Sequence, residues 1–388
     1  MLRQLLLLPT VLLALPAQAY SPGDSGMPGP DQTPAFEIKG FPQTVSSLSA
    51  GYPDCGILED GTLACAQAMN RQAIEISQLR VFKGPWIFLD SGTRHSCGIA
   101  KGNLLRCWGN NDWGQLGSNH LTAIKNQLPF KATWVSAGEF STCAVSMDGK
   151  VLCWGKDERF QLGLEKRPTS GPCKKMWCSN KPQTVALGKA PAEQVSLGKA
   201  HACALDTEGQ VWCWGENTFG ELGSEKGAPC PKEAGLALRC EPKAQKVEGL
   251  PGPAVQVTVG GHFTCALTRE GQIWCWGVNF LGQLGANTTQ LCVEAAAREA
   301  TAACSPKPVQ VTDLGGRAAR VQAGEGHACA LIDTGEVRCW GGNAYGELGD
   351  GTLSSRFIPA PVKGIEGKAI ALTVQLKHGC AVTDAHRV

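Results

Sequence analysis

Apolar positions along this chain alternate in short runs and do not recur at helical spacing. Segments 86–92 (WIFLDSG), 193–198 (EQVSLG), 254–260 (AVQVTVG) and 319–324 (ARVQAG) place apolar side chains at every second residue and stop at a glycine. Period-two alternation marks a strand with one buried face. A few residues later comes a nearly continuous apolar run, as in 202–206 (ACALD), then a glycine-bearing turn and a second β-rich run at 211–215 (VWCWG). Two such runs joined by a short glycine turn predict a hairpin. A last strand is expected near Pro-Val segments such as Pro361-Val362. The repeating unit is therefore a strand, a hairpin and a closing strand.

Cysteine spacing shows how often the unit recurs. Of 19 cysteines, twelve form pairs ten residues apart: Cys55/Cys65, Cys97/Cys107, Cys143/Cys153, Cys203/Cys213, Cys265/Cys275 and Cys329/Cys339. If 201–215 folds as a hairpin, Cys203 faces Cys213 and Leu205 faces Val211, because side chains alternate along each strand. Directly opposed residues lie ~4.5–5.5 Å apart at Cα, within reach of a disulfide. Zinc sites favour cysteines separated by two to four residues, so disulfides are expected. Such a loop of about eleven residues is worth about 2.5–3 kcal/mol in the chain-entropy description.

Glycine stands five residues before the first cysteine in five copies (Gly92, Gly138, Gly198, Gly260, Gly324), and the second cysteine opens blocks such as CWGENTFGELG at 213–223. A seventh start occurs at 369–383, and first cysteines advance by about 54 residues on average. Four antiparallel strands at this period predict a β-propeller blade. The pattern G-x-x-H-x-C-A-L … D-x-x-G-x-V-W-C-W-G-x-N-x-x-G-E-L-G resembles the repeat of the regulator of chromosome condensation family, over nearly all of 36–388. That resemblance implies an all-β, single seven-bladed β-propeller. Paired cysteines depart from the family's nuclear members and fit an exported, disulfide-bearing branch. The family's nucleotide exchange on a nuclear GTPase and its chromatin binding are not carried over, since none of the residues responsible has a match here. The last repeat ends after two strands, and 34–40 (PAFEIKG) looks like 359–364 (PAPVKG). The N-terminal strand is thus expected to join the last blade and close the ring. Cys380 is the odd cysteine, because its partner position would be 390.

The first nineteen residues, MLRQLLLLPTVLLALPAQA, have one basic residue, an apolar run and Ala17-Gln18-Ala19 at a cleavage point. They read as a signal peptide, followed by a Pro/Gly linker over 20–33 and the propeller over 34–388. The apolar run is too short for a membrane span. Export places the chain in an oxidising space, secreted, periplasmic or at the cell surface. Lys+Arg number 36 against 34 Asp+Glu, a net charge of +2 that excludes a strongly basic nucleic-acid binder. With 48 Gly, 43% hydrophobic and 18% charged residues, the chain is too apolar for disorder and too glycine-rich for a helical protein.

Repeats three, four and five carry insertions after the Leu-Gly end, over 164–185, 224–247 and 286–309. Each adds a cysteine pair: Cys173/Cys178, Cys230/Cys240 and Cys292/Cys304. Insertions at one repeat position map to loops on one face, often the one that binds. Tying each by a disulfide reduces the ordering penalty on binding; tolerated decoration is the plain alternative. The first two insertions are basic, which selects Lys174, Lys175, Trp177, Lys232 and Arg239 as candidate binding residues. Trp177 would be the apolar anchor, and the cations would set association with an acidic partner. The third, CVEAAAREATAAC, is Ala-rich and helix-prone, but a continuous helix would part its cysteines by about 18 Å. It must therefore turn back, or its cysteines have other partners.

His95, His201, His327 and His378 recur two residues before a cysteine, and Trp108, Trp154, Trp214, Trp276 and Trp340 follow one. Residues repeated blade after blade are expected to be structural. Trp113, Phe219 and Tyr345 share a loop position, as an aromatic rim or as local packing. Asn287-Thr288-Thr289 is a glycosylation sequon, meaningful in a eukaryotic host. No phosphate loop, zinc-protease helix or dinucleotide fingerprint occurs, and no catalytic, cofactor or metal residues are assigned. The expected function is an exported, non-enzymatic, monomeric binding scaffold. Its partner is an unidentified protein or acidic envelope component, with no nucleic acid; enzyme inhibition is one version. A hydrolase or lyase acting at the propeller channel is the alternative, to be judged by whether carboxylates or histidines converge at the channel mouth.

Overall fold

The computed structural model describes residues 11–13, 36–38, 45–49, 55–69, 76–118, 127–165, 177–230, 238–288, 290–293 and 301–384. Among these residues all regular structure is antiparallel strand, with no helix, and the strands group into seven blades. Blade 1 comprises Val45–Ser49, Cys55–Leu58, Leu63–Met69 and Ile76–Phe82. Blade 4 shows the pattern most plainly, running from the inner strand Ala192–Leu197 through His201–Asp206 and Val211–Glu216 to the outer strand Arg239–Lys246. Blades 5 and 6 repeat it from Ala254–Val259 and from Ala318–Ala323. Blades 2 and 3 share the long strand Gln127–Ala137. Its first part pairs with Leu104–Gly109 as the outer strand of blade 2, and its second part pairs with Ser141–Ser146 as the inner strand of blade 3.

Second strands are buried along their whole length in blades 3, 4, 5 and 6, which explains their unbroken apolar sequence. The six ten-residue cysteine pairs sit opposite each other in the hairpin register, one pair in each of blades 1 to 6. Cys55 faces Cys65, Cys97 faces Cys107, and Cys143 faces Cys153. Cys203 likewise faces Cys213, Cys265 faces Cys275, and Cys329 faces Cys339. Each of the six is a disulfide: Cys55–Cys65, Cys97–Cys107, Cys143–Cys153, Cys203–Cys213, Cys265–Cys275 and Cys329–Cys339, all with Cα atoms 4.1 Å apart. That separation is slightly shorter than the 4.5–5.5 Å expected of an open pair, as the bond draws the two strands together. Leu205 faces Val211. The hairpin prediction holds residue by residue.

Adjacent blades are joined by one contact set repeated around the ring. The buried indole of Trp154 donates to the Gln115 carbonyl of the preceding blade at 2.8 Å, and Trp214, Trp276 and Trp340 do the same to Gln161, Glu221 and Gln283 at 2.8–3.0 Å. Thr142 and Thr264 donate to two of these carbonyls and lie 2.7 and 2.9 Å from Nε2 of His95 and His201. Each hydroxyl has its one proton on a carbonyl, so the imidazole is the donor. His95 and His201 thus act as struts between blades, while His327 is buried with no hydrogen-bond partner at Nε2 among the described residues. Burial holds His95 down at about 4, and His201 and His327 at about 3. Nearer the axis, oxygens of Ser49, Asp90, Ser136, Ser196 and Thr258 each accept the backbone N–H of the next inner strand at 2.8–3.1 Å. The turn glycines abut one another: a Cβ on Gly92 would overlap the Gly138 carbonyl oxygen, and one on Gly198 would overlap that of Gly260. Close approach, not φ, fixes glycine there.

The last blade has Ala369–Gln375 innermost, then His378–Thr383. Its inner strand packs on Val45–Ser49 of blade 1, and the N-terminal strand Phe36–Ile38 lies in the same sheet. The N-terminal closure is therefore observed, with one difference. Val11–Leu13, assigned to the leader from sequence, stands between Phe36–Ile38 and His378–Thr383, with Leu13 opposite Cys380. An apolar extended segment covers backbone groups that His378–Thr383 would otherwise leave unpaired. Cys380 is buried and is a thiol. The rest of the leader and the 20–33 linker lie outside the described residues.

Candidate functional site

Strand direction alternates, so the turn from first to second strand and the connection from third to fourth emerge at the same end of every blade. All three insertions arise from that connection and share one face. Insertion two is a hairpin: Ala228–Pro229 pairs with Arg239–Lys246, and Cys230 is bonded to Cys240. Insertion three is also a hairpin, with Leu291–Val293 against Thr301–Gln310 and a Cys292–Cys304 disulfide at 5.8 Å between Cα atoms. Of the two outcomes expected for CVEAAAREATAAC, turning back is the one observed: its two arms pair as strands, which lets its cysteines meet, and 294–300 lie outside the described residues. In insertion one Cys178 is disulfide-bonded, while Cys173 lies outside the described residues. The first two insertions touch, and the second and third each pack on the blade before their own. Lys243 of the second reaches Glu165 of the first at 3.3 Å, Cys230 and Cys240 pack with Phe160 of blade 3, and Cys292 Sγ lies 3.7 Å from the Phe219 carbonyl of blade 4.

Of the five candidate binding residues, Lys174, Lys175 and Lys232 lie outside the described residues. Trp177 is half-buried, and its carbonyl accepts the Asp157 N–H at 2.7 Å. Arg239 is exposed on the second insertion, and its guanidinium donates to the Glu225 carbonyl at 3.0 Å. Trp113, Phe219 and Tyr345 each meet a side chain of the following blade. Trp113 lies 6.2 Å from Phe140 and 4.7 Å from Lys156 Nζ, Phe219 is edge-on to His262 at 5.9 Å, and Lys377 Nζ is 4.2 Å from the Tyr345 ring. These contacts are packing against the neighbouring blade, the second of the two roles anticipated.

One seam carries chemistry that the sequence reading missed. Between blades 4 and 5, Glu216 and Glu221 are buried to 1% and 0% exposure, and His262 stands beside them. His262 Nδ1 lies 3.4 Å from Glu221 Oε1 and 4.0 Å from Glu216 Oε1, and one donor atom from each residue falls within 4.8 Å of the others. Arg159 from blade 3 holds Glu216 Oε2, Thr218 donates to Glu216 Oε1 at 3.1 Å, and the Phe219 N–H donates to Glu221 Oε2 at 2.8 Å. Burial pushes the Glu221 carboxyl above its ordinary range. Burial also works against a charged His262, but the Glu221 hydrogen bond and the two carboxylates outweigh it and raise its pKa. The signal was there: repeat five shifts its histidine by one residue and puts Phe263 where the strut belongs. Only an overlay of the repeats, position by position, brings that out.

A seven-bladed ring with tryptophan-pinned seams and disulfide-stapled hairpins defines a propeller of the chromosome-condensation type, a fold of protein-interaction scaffolds. Residues 48–388 match the RCC1-like domain, and the chain belongs to that family. It is 29% identical over 192 residues to the mitochondrial RCC1 domain-containing protein RUG3 of Arabidopsis thaliana, covering 49% of this chain and 39% of the relative. It is 27% identical over 363 residues to the E3 ubiquitin-protein ligase HERC2 of Homo sapiens, covering 86% of this chain and 7% of that protein. The chain thus spans well under half the length of these curated relatives. Among solved structures, human WBSCR16 superposes with a TM-score of 0.73 at 17% identity, covering 96% of this chain and 98% of that one. Prp20p of Saccharomyces cerevisiae, whose structure was described with its binding to Gsp1p and histones, superposes at 0.70 and 17% identity, covering 88% and 83%. Disulfides in this number belong to an oxidising environment. No helix among the described residues is long and apolar enough to cross a membrane.

Proposed function

We propose that the protein is an exported scaffold that binds a partner protein through the insertion face and acts by contact, not by catalysis. The observation that carries this reading is that three consecutive blades carry disulfide-bearing insertions at the same connection, two of them seen as hairpins. Rigid hairpins on a rigid ring lose little conformational freedom on association, so more of the contact energy appears as affinity. The partner surface is acidic, either a protein or a polyanionic envelope component, because the first two insertions are basic in a nearly neutral chain. Lys174, Lys175, Lys232 and Arg239 would speed encounter, and Trp177 would lower the dissociation rate. Blocking the active site of an acidic target enzyme is one form such binding could take.

The test is capture of a partner from the producing cell's envelope and medium with the leaderless chain, then affinity measurements as a function of salt. Replacing Lys174, Lys175 and Trp177 together by Ala should cut affinity at least tenfold and flatten its salt dependence. Unchanged affinity and salt slope would move the binding face to the hairpin side of the ring. The enzymatic alternative required carboxylates or histidines converging at the channel mouth; Glu216, Glu221 and His262 converge instead at the seam between blades 4 and 5. Both carboxylates are almost wholly buried, however, which leaves a substrate little access to them and favours a smaller ligand.

A further inference from the structure

Overlaying the blades separates what the fold requires at the 4–5 seam from what it does not. The position of Glu221 is held elsewhere by Gln115, Gln161, Gln283 and Glu347. In all five, a side-chain oxygen accepts the backbone N–H two residues earlier at 2.8–2.9 Å. Glutamine does this without charge in three copies, so the second oxygen of Glu221 and its charge serve something else. The position of Glu216 holds Asn110, Lys156, Val278 and Gly342 in the other copies, and that of His262 holds Arg94, Phe140, Ala200, Gly326 and Lys377. Only the 4–5 seam combines two carboxylates with an imidazole. At the 6–7 seam the charge of Lys377 acts on the corresponding Glu347, so there the protein supplies its own cation.

The orientation of the groups is as telling as their identity. Glu216 has Oε2 fixed by Arg159, and Glu221 has Oε2 fixed by the Phe219 N–H. Both turn Oε1 towards His262 Nδ1; that of Glu216 also accepts from the Thr218 hydroxyl at 3.1 Å, a bond an ion would have to share or displace. Fixing one oxygen of a carboxylate while presenting the other is how outer-shell partners orient a metal ligand. Tetrahedral bonds of ~2.0–2.1 Å place ligand atoms about 3.3 Å apart, close to the 3.4 Å between Glu221 and His262. The 4.0 Å between Glu216 and His262 closes with a small carboxylate rotation. Once His262 gives up its proton to a ligand bond, two carboxylates and Arg159 leave one net negative charge among buried groups, which favours a cation there; Lys199 is the nearby charge that opposes it. His262 is 31% exposed, so the imidazole is the edge of the cluster that reaches solvent. A nitrogen donor and only two carboxylates disfavour calcium and magnesium, which take six or more oxygens.

We infer that Glu216 Oε1, Glu221 Oε1 and His262 Nδ1 form a three-ligand site for a zinc-class divalent ion, which clamps blade 4 to blade 5 at the rim of the insertion face. This site does not depend on the binding role proposed above. The experiment is calorimetric titration of chelator-treated protein with zinc chloride alone, with thermal unfolding followed in parallel. The wild-type chain should bind one ion and unfold at a higher temperature with zinc than without. His262→Ala and Glu221→Gln should each weaken binding at least tenfold and lose the thermal shift. Glu221→Gln tests the ligand without threatening the fold, because glutamine already fills this position in three blades. Cobalt in place of zinc should give the visible bands of a tetrahedral site in the wild-type chain alone. No saturable ion, or an ion bound equally by wild type and both variants, would overturn the assignment and leave His262 as an ordinary ion-pair partner of Glu221.

Discussion

Deep in the seams, Trp154, Trp214, Trp276 and Trp340 make one contact four times, each on the carbonyl of a Gln or Glu in the preceding blade. Two residues before each of those acceptors, at the rim, the chain holds Trp113, Arg159, Phe219 and Leu281. The partners differ as well: an aromatic pair with a lysine at Trp113, an ion pair from Arg159 to Glu216, and an imidazole edge at Phe219. The interior is close-packed and tolerates one solution. The rim is half in solvent, where exchanging one side chain for another costs little. Stability is therefore concentrated where the repeats agree, and recognition is free to develop where they diverge.

This contrast can be broken at several points. Trp276→Ala should have the largest effect, about 3–5 kcal/mol of unfolding free energy in a urea titration, because it opens a cavity and removes one of the two donors to the Glu221 carbonyl. A loss under about 1 kcal/mol would mean the seams are not the stability core. Replacing Cys203 and Cys213 together by Ser should cost about 2–4 kcal/mol, read the same way under non-reducing conditions. Acidification comes next. His95, His201 and His327 have folded values of about 3–4 against an ordinary value near 6.5. The unfolded chain therefore takes up their protons first, so this stability is whole above pH 6.5 and is lost as pH falls towards 4. Asp90, pushed up to about 6 by burial, works in the opposite sense. The net expectation is a loss of about 2–3 kcal/mol for each pH unit below 6, measured by denaturant midpoints from pH 7 to 5. At the rim, Lys377→Ala removes a cation over the Tyr345 ring and should change stability by less than about 1 kcal/mol. A larger loss there would erase the distinction between rim and interior.

The same contrast explains what could be read from the sequence. Hairpins, disulfides and the shared face of the insertions follow from local spacing, since Cys203 and Cys213 are ten residues apart and every second side chain points the same way. The same spacing carries Cys65, Cys107, Cys153 and Cys275 to their partners, even in blade 1, where the block after Cys65 has lost the Trp-Gly signature. Contacts between blades join residues far beyond the ten-residue hairpin spacing, for example 27 positions for Thr142 with Gln115 and 65 for Gln256 with Val321, and no short-range period marks them. The struts could be inferred because they repeat. Glu216, Glu221 and His262 could not, because they do not repeat and their meeting depends on the angle between two blades. Val11–Leu13 eluded the reading for another reason: an apolar segment suits a leader and an edge strand equally well.

The strand Gln127–Ala137 passes from the outside of blade 2 to the inside of blade 3 without a connecting loop. The other blades have a stretch of chain between them that can slacken, whereas here displacing one end of a single β-ribbon pulls on the other. Peeling blade 2 outward thus drags the axial wall of blade 3 with it. Backbone amides of 95–109 and 141–156 should accordingly exchange with deuterium as one group. In a molecule built from seven similar units, the pair without a joint forms the natural double unit, and a ring stretched until it opens would part elsewhere first.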